Sequence, residues 1–323
     1  MLQIETIVAC TDFSESAEEA IEQALAWSRR FEATVHLLHV VTAPERLPEA
    51  VGMVLSQYKE EAFGDLESQA SSMLGDLLEG RPTGEARVET HVRRGEAAAP
   101  AALAFADEQE ADLVAIGAHG QRGVRELGTG STSAEITRKA TCPVLVARRG
   151  APSLEGASSG ARVLVPVDFS DHSRRAVDCG RALSARFEAP LDLVYAAPPP
   201  ASPGALDPAT GMMEPETGPV RARTKKVRAE AAGRLEDLIE APGPEAQEAE
   251  AHVLEGHPPS ALAGFAESQG TGLIVMASHG RTGLKRLLMG SVAERVVRQA
   301  PCPVFVAKSY GKSVLSGSEA EAD

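Results

Sequence analysis

The chain has 323 residues, a formal net charge of −14, and 43% hydrophobic and 24% charged residues. That balance suits a globular protein with enough apolar side chains for a core, and the acidic surplus argues against a nucleic-acid or anionic-membrane surface. No segment has the roughly 20 apolar residues that span a bilayer, and the first residues lack the basic and long apolar regions of a secretory signal, so a cytoplasmic protein is expected.

In chain order, TIVAC (6–10), TVHLLHV (34–40), ARVETHV (86–92), DLVAIGA (112–118) and PVLVAR (143–148) predict strands, several of them apolar on both faces as buried parallel strands are. Amphipathic stretches at 16–31, 49–79, 97–109 and 131–140 predict helices between them. Strand alternating with helix implies βαβ units and a parallel sheet. The second half repeats the order with VLVPV, LDLVYA, EAHVLE, GLIVMAS and PVFVAK. Two segments break the symmetry. Residues 197–219 are rich in Pro and Gly where the long second helix should begin, which predicts a mobile stretch. A basic run, RARTKKVR (221–228), follows and is best taken as a solvated helix face.

The halves match in detail. LVAIGAHGQRGVRELGTGSTSAEITRKATCPVLVAR (113–148) aligns without a gap on LIVMASHGRTGLKRLLMGSVAERVVRQAPCPVFVAK (273–308). A repeat this long holds several complete strand–helix units, so it predicts two tandem domains, 1–149 and 161–310, with a linker at 150–160 and a disordered tail at 311–323. The four cysteines, Cys10, Cys142, Cys179 and Cys302, form no CxxC pair and are expected to be buried, reduced thiols.

Gly117, Gly120, Gly130 and Ser131 form G-x2-G-x9-G-S between a strand and a helix. Such a turn lets backbone approach a phosphate, and the helix start then offers free N–H groups and its positive dipole end. The second copy has Ala277, Gly280, Gly290 and Ser291, so its first element differs. There is neither a Walker A loop nor a GxGxxG turn, and purely conformational glycines remain an alternative. Asp12 and Asp168 follow the first strand of each half, where open α/β sheets bind ligands; each either contacts ligand or a bridging metal, or caps the next helix with Ser14 or Ser170. His119 and His279 lie in the loop without partners for metal or triad chemistry, and are expected to pack there; Arg122 and Arg281 are expected at the surface.

These features together, the strand ending VPVDFS, LLHV at 37–40, ASHGRTGLKRLLMGS and the closing APCPVFV, resemble the universal stress protein family. The resemblance covers both halves. It implies two tandem open five-stranded parallel-sheet α/β sandwich domains, Rossmann-like and related to adenine nucleotide alpha hydrolases. It also implies that ATP, with or without Mg²⁺, binds where the glycine motif is kept. Carried over, the adenosine end meets Cys10, Thr11, Asp12, Val40 and Ile116, and the phosphates Gly117, Gly120, Gly130, Ser131, Thr132 and Ser133. The second-half counterparts are Pro166, Val167, Asp168, Ala196 and Met276, then Ala277, Gly280, Gly290, Ser291, Val292 and Ala293. Cys10 stands where the family often has Pro, and Leu-Gly-Thr (127–129) replaces Leu-Leu-Met (287–289), while Ala277 adds a methyl group whose effect depends on its φ.

The implied function is a stress-response sensor or adaptor that binds ATP and is read by an unnamed protein partner. The alternatives are an adaptor or chaperone-like protein that binds no nucleotide, and a slow ATPase; no residue of the motif is an evident general base, so no catalytic residue is assigned. PVLVAR and PVFVAK are edge strands that would template pairing if exposed, and the family resemblance implies that they pair with each other inside the chain as a pseudo-dimer, with further homo-oligomers open.

Overall fold

A computed structural model describes residues 2–42, 52–79, 81, 86–118, 131–154, 160–197, 218–243, 248–280, 289–308 and 311–315. Two units cluster separately among them. The first comprises the residues up to Ala151 with those from Pro303 onward, and the second the described residues between Pro152 and Cys302.

The first unit opens with β1 (Thr6–Thr11), in which Ile7, Val8 and Ala9 are fully buried. Helix α1 (Glu15–Phe31) follows because Ser14 caps it, its side chain accepting the Ala17 N–H at 3.3 Å, with Glu15 and Glu18 in the first turn and Arg29 and Arg30 in the last. Glu32 ends the helix with φ of 59°. Then come β2 (Thr34–Thr42), α2 (Gly52–Leu78), β3 (Arg87–Gly95), α3 (Ala98–Glu108), β4 (Leu113–Gly117), α4 (Ser131–Lys139) and β5 (Val144–Ala147). Strands β3-β2-β1-β4-β5 run parallel in that order, with Ile7 level with both Val35 and Leu113. The chain fills the sheet outward on one side of β1 and then returns to its other side, so the order reverses between β1 and β4. A crevice at the carboxyl ends of those two strands is the topological switch point of such a sheet.

The second unit repeats the plan with β6 (Arg162–Pro166), α5 (Asp171–Phe187), β7 (Leu191–Ala197), α6 (Gly218–Glu240), β8 (Ala249–Glu255), α7 (Pro258–Ser268), β9 (Thr271–Ala277) and α8 (Ser291–Gln299). Its strands run parallel in the order β9-β6-β7-β8. Corresponding joints use the same chemistry. Ser28 Oγ donates to the Ala33 carbonyl and Ser184 Oγ to that of Ala189, each at 2.6 Å, which satisfies a buried hydroxyl where helix passes into strand.

The closing strand β10 (Val304–Ala307) belongs by contacts to the first unit, where it pairs antiparallel with β5, Phe305 opposite Leu145. This covers an edge that would otherwise be a template for pairing, and it makes the first unit's sheet mixed rather than purely parallel. Residues 311–315, expected as part of a disordered tail, are instead tied down: the Val314 carbonyl accepts the Gln3 N–H at 2.8 Å, Leu315 bridges Leu2, and Val314 is buried. The remainder of the expected tail, and 198–217 of the Pro/Gly-rich stretch, lie outside the described residues. Helix α6 begins at Gly218, so the basic run falls in its first turns as expected.

Cys142, Cys179 and Cys302 are buried and Cys10 is half-buried, all as free thiols. Burial pushes Cys10, Cys142 and Cys179 each up to about 12, so none carries the thiolate that reactivity needs. Lys308, next to β10, donates Nζ–H to the Thr137 carbonyl at 2.5 Å, and burial lowers it from 10.5 to about 8. The unfolded chain therefore holds this proton to higher pH than the folded one, so this group's contribution to stability rises as pH climbs through that interval. The three raised thiols act in the opposite sense, because the unfolded chain gives up their protons first and their contribution falls above about pH 9. The urea midpoint of Lys308→Met should therefore fall more between about pH 8 and pH 10 than that of the wild-type chain. An identical pH dependence in the two proteins would show that Lys308 does not lose its proton in this interval.

Candidate functional site

The carboxyl end of β1 turns sharply into α1 through Asp12, Phe13 and Ser14. Thr11 Oγ1 accepts the Phe13 N–H at 3.0 Å and Asp12 Oδ1 the Ser14 N–H at 3.1 Å, an Asx-type turn that delivers Ser14 to its capping position. Phe13 takes φ of 61°, a left-handed conformation costly for a bulky residue. Its ring lies 4.5 Å from that of His39, whose Nδ1 is bonded to the Thr11 carbonyl at 2.8 Å, so β2 helps to hold the turn.

The second unit builds the same turn. Phe169 has φ of 64°, and Asp168 Oδ1 accepts the Ser170 N–H at 3.0 Å and its hydroxyl at 2.5 Å. Here Tyr195 and the Arg234 guanidinium, 3.9 Å above the Phe169 ring, hold the aromatic side chain. Both aspartates thus serve the turn that leads into the helix, while the caps themselves are Ser14 and Ser170.

Adjacent strand ends bring the predicted adenosine residues of the first unit together. Cys10, Asp12 and Val40 are half-buried there, whereas Thr11 and Ile116 are buried. In the second unit Pro166, Asp168, Ala196 and Ala277 are half-buried, and Val167 and Met276 are buried. Gly120 and Gly130, like His119, Arg122 and Arg281, lie outside the described residues. Ser131 opens α4, Thr132 is exposed, and Ser133 is buried with its hydroxyl donating to the Gly117 carbonyl at 2.6 Å. Ser291 and Val292 are exposed at the start of α8, and Ala293 is buried.

The glycines differ in what they are needed for. A Cβ on Gly117 would lie 2.6 Å from the carbonyl carbon and oxygen of Ser16, so the first turn of α1 presses on the end of β4. Neither Gly117 nor Ala277 has positive φ, which answers for Ala277 the conformational question that sequence raised. Gly117→Ala should therefore destabilise by about 1–3 kcal/mol through overpacking, and Ala277→Gly by about 0.5–1 kcal/mol through added chain entropy. Urea midpoints of the two variants check this, and equal small effects would contradict the close packing at Gly117. On Gly280 a Cβ would fall 2.5 Å from Asp168 Oδ2, so this glycine brings backbone onto the aspartate of the neighbouring turn. The Gly290 N–H donates to the Ser278 carbonyl at 2.9 Å, closing the loop onto the cap of α8, a cap with no side-chain hydrogen bond. His279 is buried there, bonded to Ser278 Oγ at 2.9 Å with the His172 ring 6.0 Å away, which is the expected loop packing.

The comparisons with known proteins bear on this arrangement directly. A profile of the universal stress protein family matches residues 3–148 and again 161–308. The chain belongs to the universal stress protein family. A universal stress protein of Methanocaldococcus jannaschii is 34% identical over 151 residues, 47% of this chain and 84% of that protein. One of Bacillus subtilis is 26% identical over 147 residues, covering 46% of this chain and 98% of that protein. Among solved structures, a universal stress protein from Archaeoglobus fulgidus superposes with a TM-score of 0.61 at 18% identity, over 94% of this chain and 98% of that one. The family's tandem Rossmann-like α/β fold is thus this chain's fold. No helix among the described residues is long and apolar enough to cross a membrane.

One constellation escaped the sequence reading and occurs in both units. In the second, Asp192 on β7 is 1% exposed and takes a bidentate pair from Arg162, Nε to Oδ2 at 2.7 Å and Nη2 to Oδ1 at 2.8 Å. His252 Nε2 lies 2.9 Å from Asp192 Oδ1, and Glu250 3.2 Å from the guanidinium. Hydrogen bonding to Asp192 raises Arg162 further above its ordinary value. The first unit has His36, Glu89 and His91 at the corresponding positions. Burial, followed by His36, holds His91 below the ordinary imidazole value. The signal available in sequence was Glu-x-His on the third strand of each repeat, at 89–91 and 250–252.

Proposed function

We propose that this universal stress protein binds ATP or a related adenine nucleotide in the crevice at the carboxyl ends of β1 and β4, with a second, weaker site at β6 and β9. The observation that carries the reading is the Asp-Phe-Ser turn, held in a strained conformation at the switch point of the sheet in both units. The strain fixes an aspartate beside the end of the central strand. Asp12, Cys10 and Val40 would receive the adenosine, and the α4 N-terminus with Thr132 the phosphates, where backbone N–H groups and the helix dipole favour negative charge. In the second unit Gly280 and the cap of α8 would take the phosphate role. Asp12 or Asp168 would be the residue to join a Mg²⁺ accompanying the nucleotide. Bound nucleotide would stabilise the folded state and change what a protein partner reads, which is a regulatory role.

A second reading has an observation in its favour. Gly117 is accounted for by its contact with α1, and Ser133 by its bond to the Gly117 carbonyl, so two members of the predicted phosphate set have structural work. On that reading the protein is an adaptor without nucleotide. Nucleotide released on denaturing the purified protein, together with a melting temperature that rises with ATP concentration, would support the first reading. Absence of both would sink it and leave the adaptor.

A further inference from the structure

Glu89 and His91 lie two residues apart on the edge strand β3 and so face the same side of the sheet, and His36 stands level with Glu89 on β2. Three of their atoms form a nearly regular triangle: His36 Nδ1 to His91 Nε2 is 3.0 Å, His36 Nδ1 to Glu89 Oε2 3.6 Å, and His91 Nε2 to Glu89 Oε2 3.7 Å. The circle through these atoms has a radius of about 2.0 Å, which matches the length of Zn–N and Zn–O bonds, so one ion at or just above its centre reaches all three.

The second unit supplies an internal comparison. There the cluster holds a built-in cation, the Arg162 guanidinium, between Asp192 and Glu250. In the first unit the residue corresponding to Arg162 is Thr6 and the one corresponding to Asp192 is His36. The guanidinium is gone and a carboxylate has become an imidazole, while the Glu-x-His of the edge strand is kept. The exchange replaces a set suited to Arg with one suited to a borderline metal ion. Two imidazoles and one carboxylate favour Zn²⁺, Co²⁺, Ni²⁺ or Cu²⁺ over Mg²⁺ or Ca²⁺, which prefer all-oxygen sets.

We propose that His36, Glu89 and His91 form a site for a divalent transition-metal ion of the Zn²⁺ class. The surroundings suit it. His36 is buried with its ring 6.3 Å from that of Phe105 at a steep interplanar angle of 70°, and the His91 ring lies 4.8 Å from the same phenyl. The Glu89 side chain is 61% exposed, which gives the ion an entry path and leaves solvent to complete its coordination. Arg93, the cation packed on Phe105, is itself bonded to Glu108 at 3.0 Å.

The test is titration of the full, untagged, chelator-treated chain with Co²⁺, followed by its visible absorption, and with Zn²⁺ in competition against a chromogenic chelator. The site predicts one equivalent of Co²⁺ with the intense bands of low-coordinate cobalt, displaced by Zn²⁺. Glu89→Gln changes an exposed residue and should weaken both ions at least about tenfold, as should His91→Ala. The double variant Thr6→Arg with His36→Asp imports the second unit's cation and acid; it should remain folded and lose the cobalt spectrum. No cobalt spectrum from the wild-type chain would overturn the proposal. So would undiminished binding in Glu89→Gln and the double variant, since the ion would then lie elsewhere.

Discussion

Arg162→Ala should destabilise the second unit by about 3–5 kcal/mol, because it leaves the Asp192 carboxylate buried without its cation. Asp192 is 1% exposed and its two oxygens are matched by the guanidinium fork, with His252 on one of them. Without the fork the carboxylate must protonate, recruit His252 as an imidazolium, or pull the strand open to water. Removing both partners is a different matter: Arg162→Met with Asp192→Leu should cost far less than Arg162→Ala, since a well-packed apolar pair often replaces a buried ion pair without loss. Urea unfolding of the three proteins separates these cases. A loss below about 1 kcal/mol for Arg162→Ala would mean that Asp192 is not sealed from water as described.

Trp27→Ala should cost the first unit about 3–5 kcal/mol. Trp27 is 1% exposed on the buried face of α1, and its indole stacks on the Phe305 ring at 5.8 Å and 15°, with Phe31 at 5.8 Å on the same helix. Aromatic side chains are scarce in this chain, so much of the core is Ala, Val and Leu, and a lost indole leaves a cavity that these residues cannot fill. Phe305 comes from the strand that closes the second repeat, so the variant should also loosen β10 on β5. Trp27 is the only tryptophan, which means that unfolding of the variant must be followed by far-UV circular dichroism rather than fluorescence. Trp27→Phe should recover most of the loss. A Trp27→Ala midpoint close to wild type would show that the indole is not part of a tightly packed interior.

The elements were largely legible in the sequence for a local reason. Runs such as LVAIG and VLVPV are apolar on both faces, which only a covered parallel strand needs, and the first helix of each half carries its own cap in Ser14 or Ser170. What was not legible depends on residues far apart in the chain. Gly117 stood out as a glycine at a strand end, but its close neighbour Ser16 is a hundred positions upstream and invisible to local pattern. The 311–315 segment looked unanchored because its partners are Gln3 and Leu2 at the opposite end. The left-handed turns at Phe13 and Phe169 could not be guessed, since that conformation is disfavoured for Phe and is imposed by the packing of His39 or of Tyr195 and Arg234. The Glu-x-His strands were passed over for another reason: polar residues alternating on an edge strand look like an ordinary solvent-facing row, and only the register with β2 and β7 shows what they meet.

The duplicated plan is thus shared in its turns, caps and helix–strand joints, and divergent at Thr6 against Arg162, His36 against Asp192 and Gly117 against Ala277. Such divergence is expected where one copy keeps a site and the other a structural substitute.

The most direct test of the nucleotide account is photolabelling of the full chain with an azido-ATP analogue, followed by peptide mapping. The account predicts label, competed by ATP, on peptides carrying Cys10 to Asp12, Val40 or Ile116 and Gly117, with weaker label around Pro166 to Asp168 and Met276. ATP-competed label confined to other surfaces, or none at all, would contradict it.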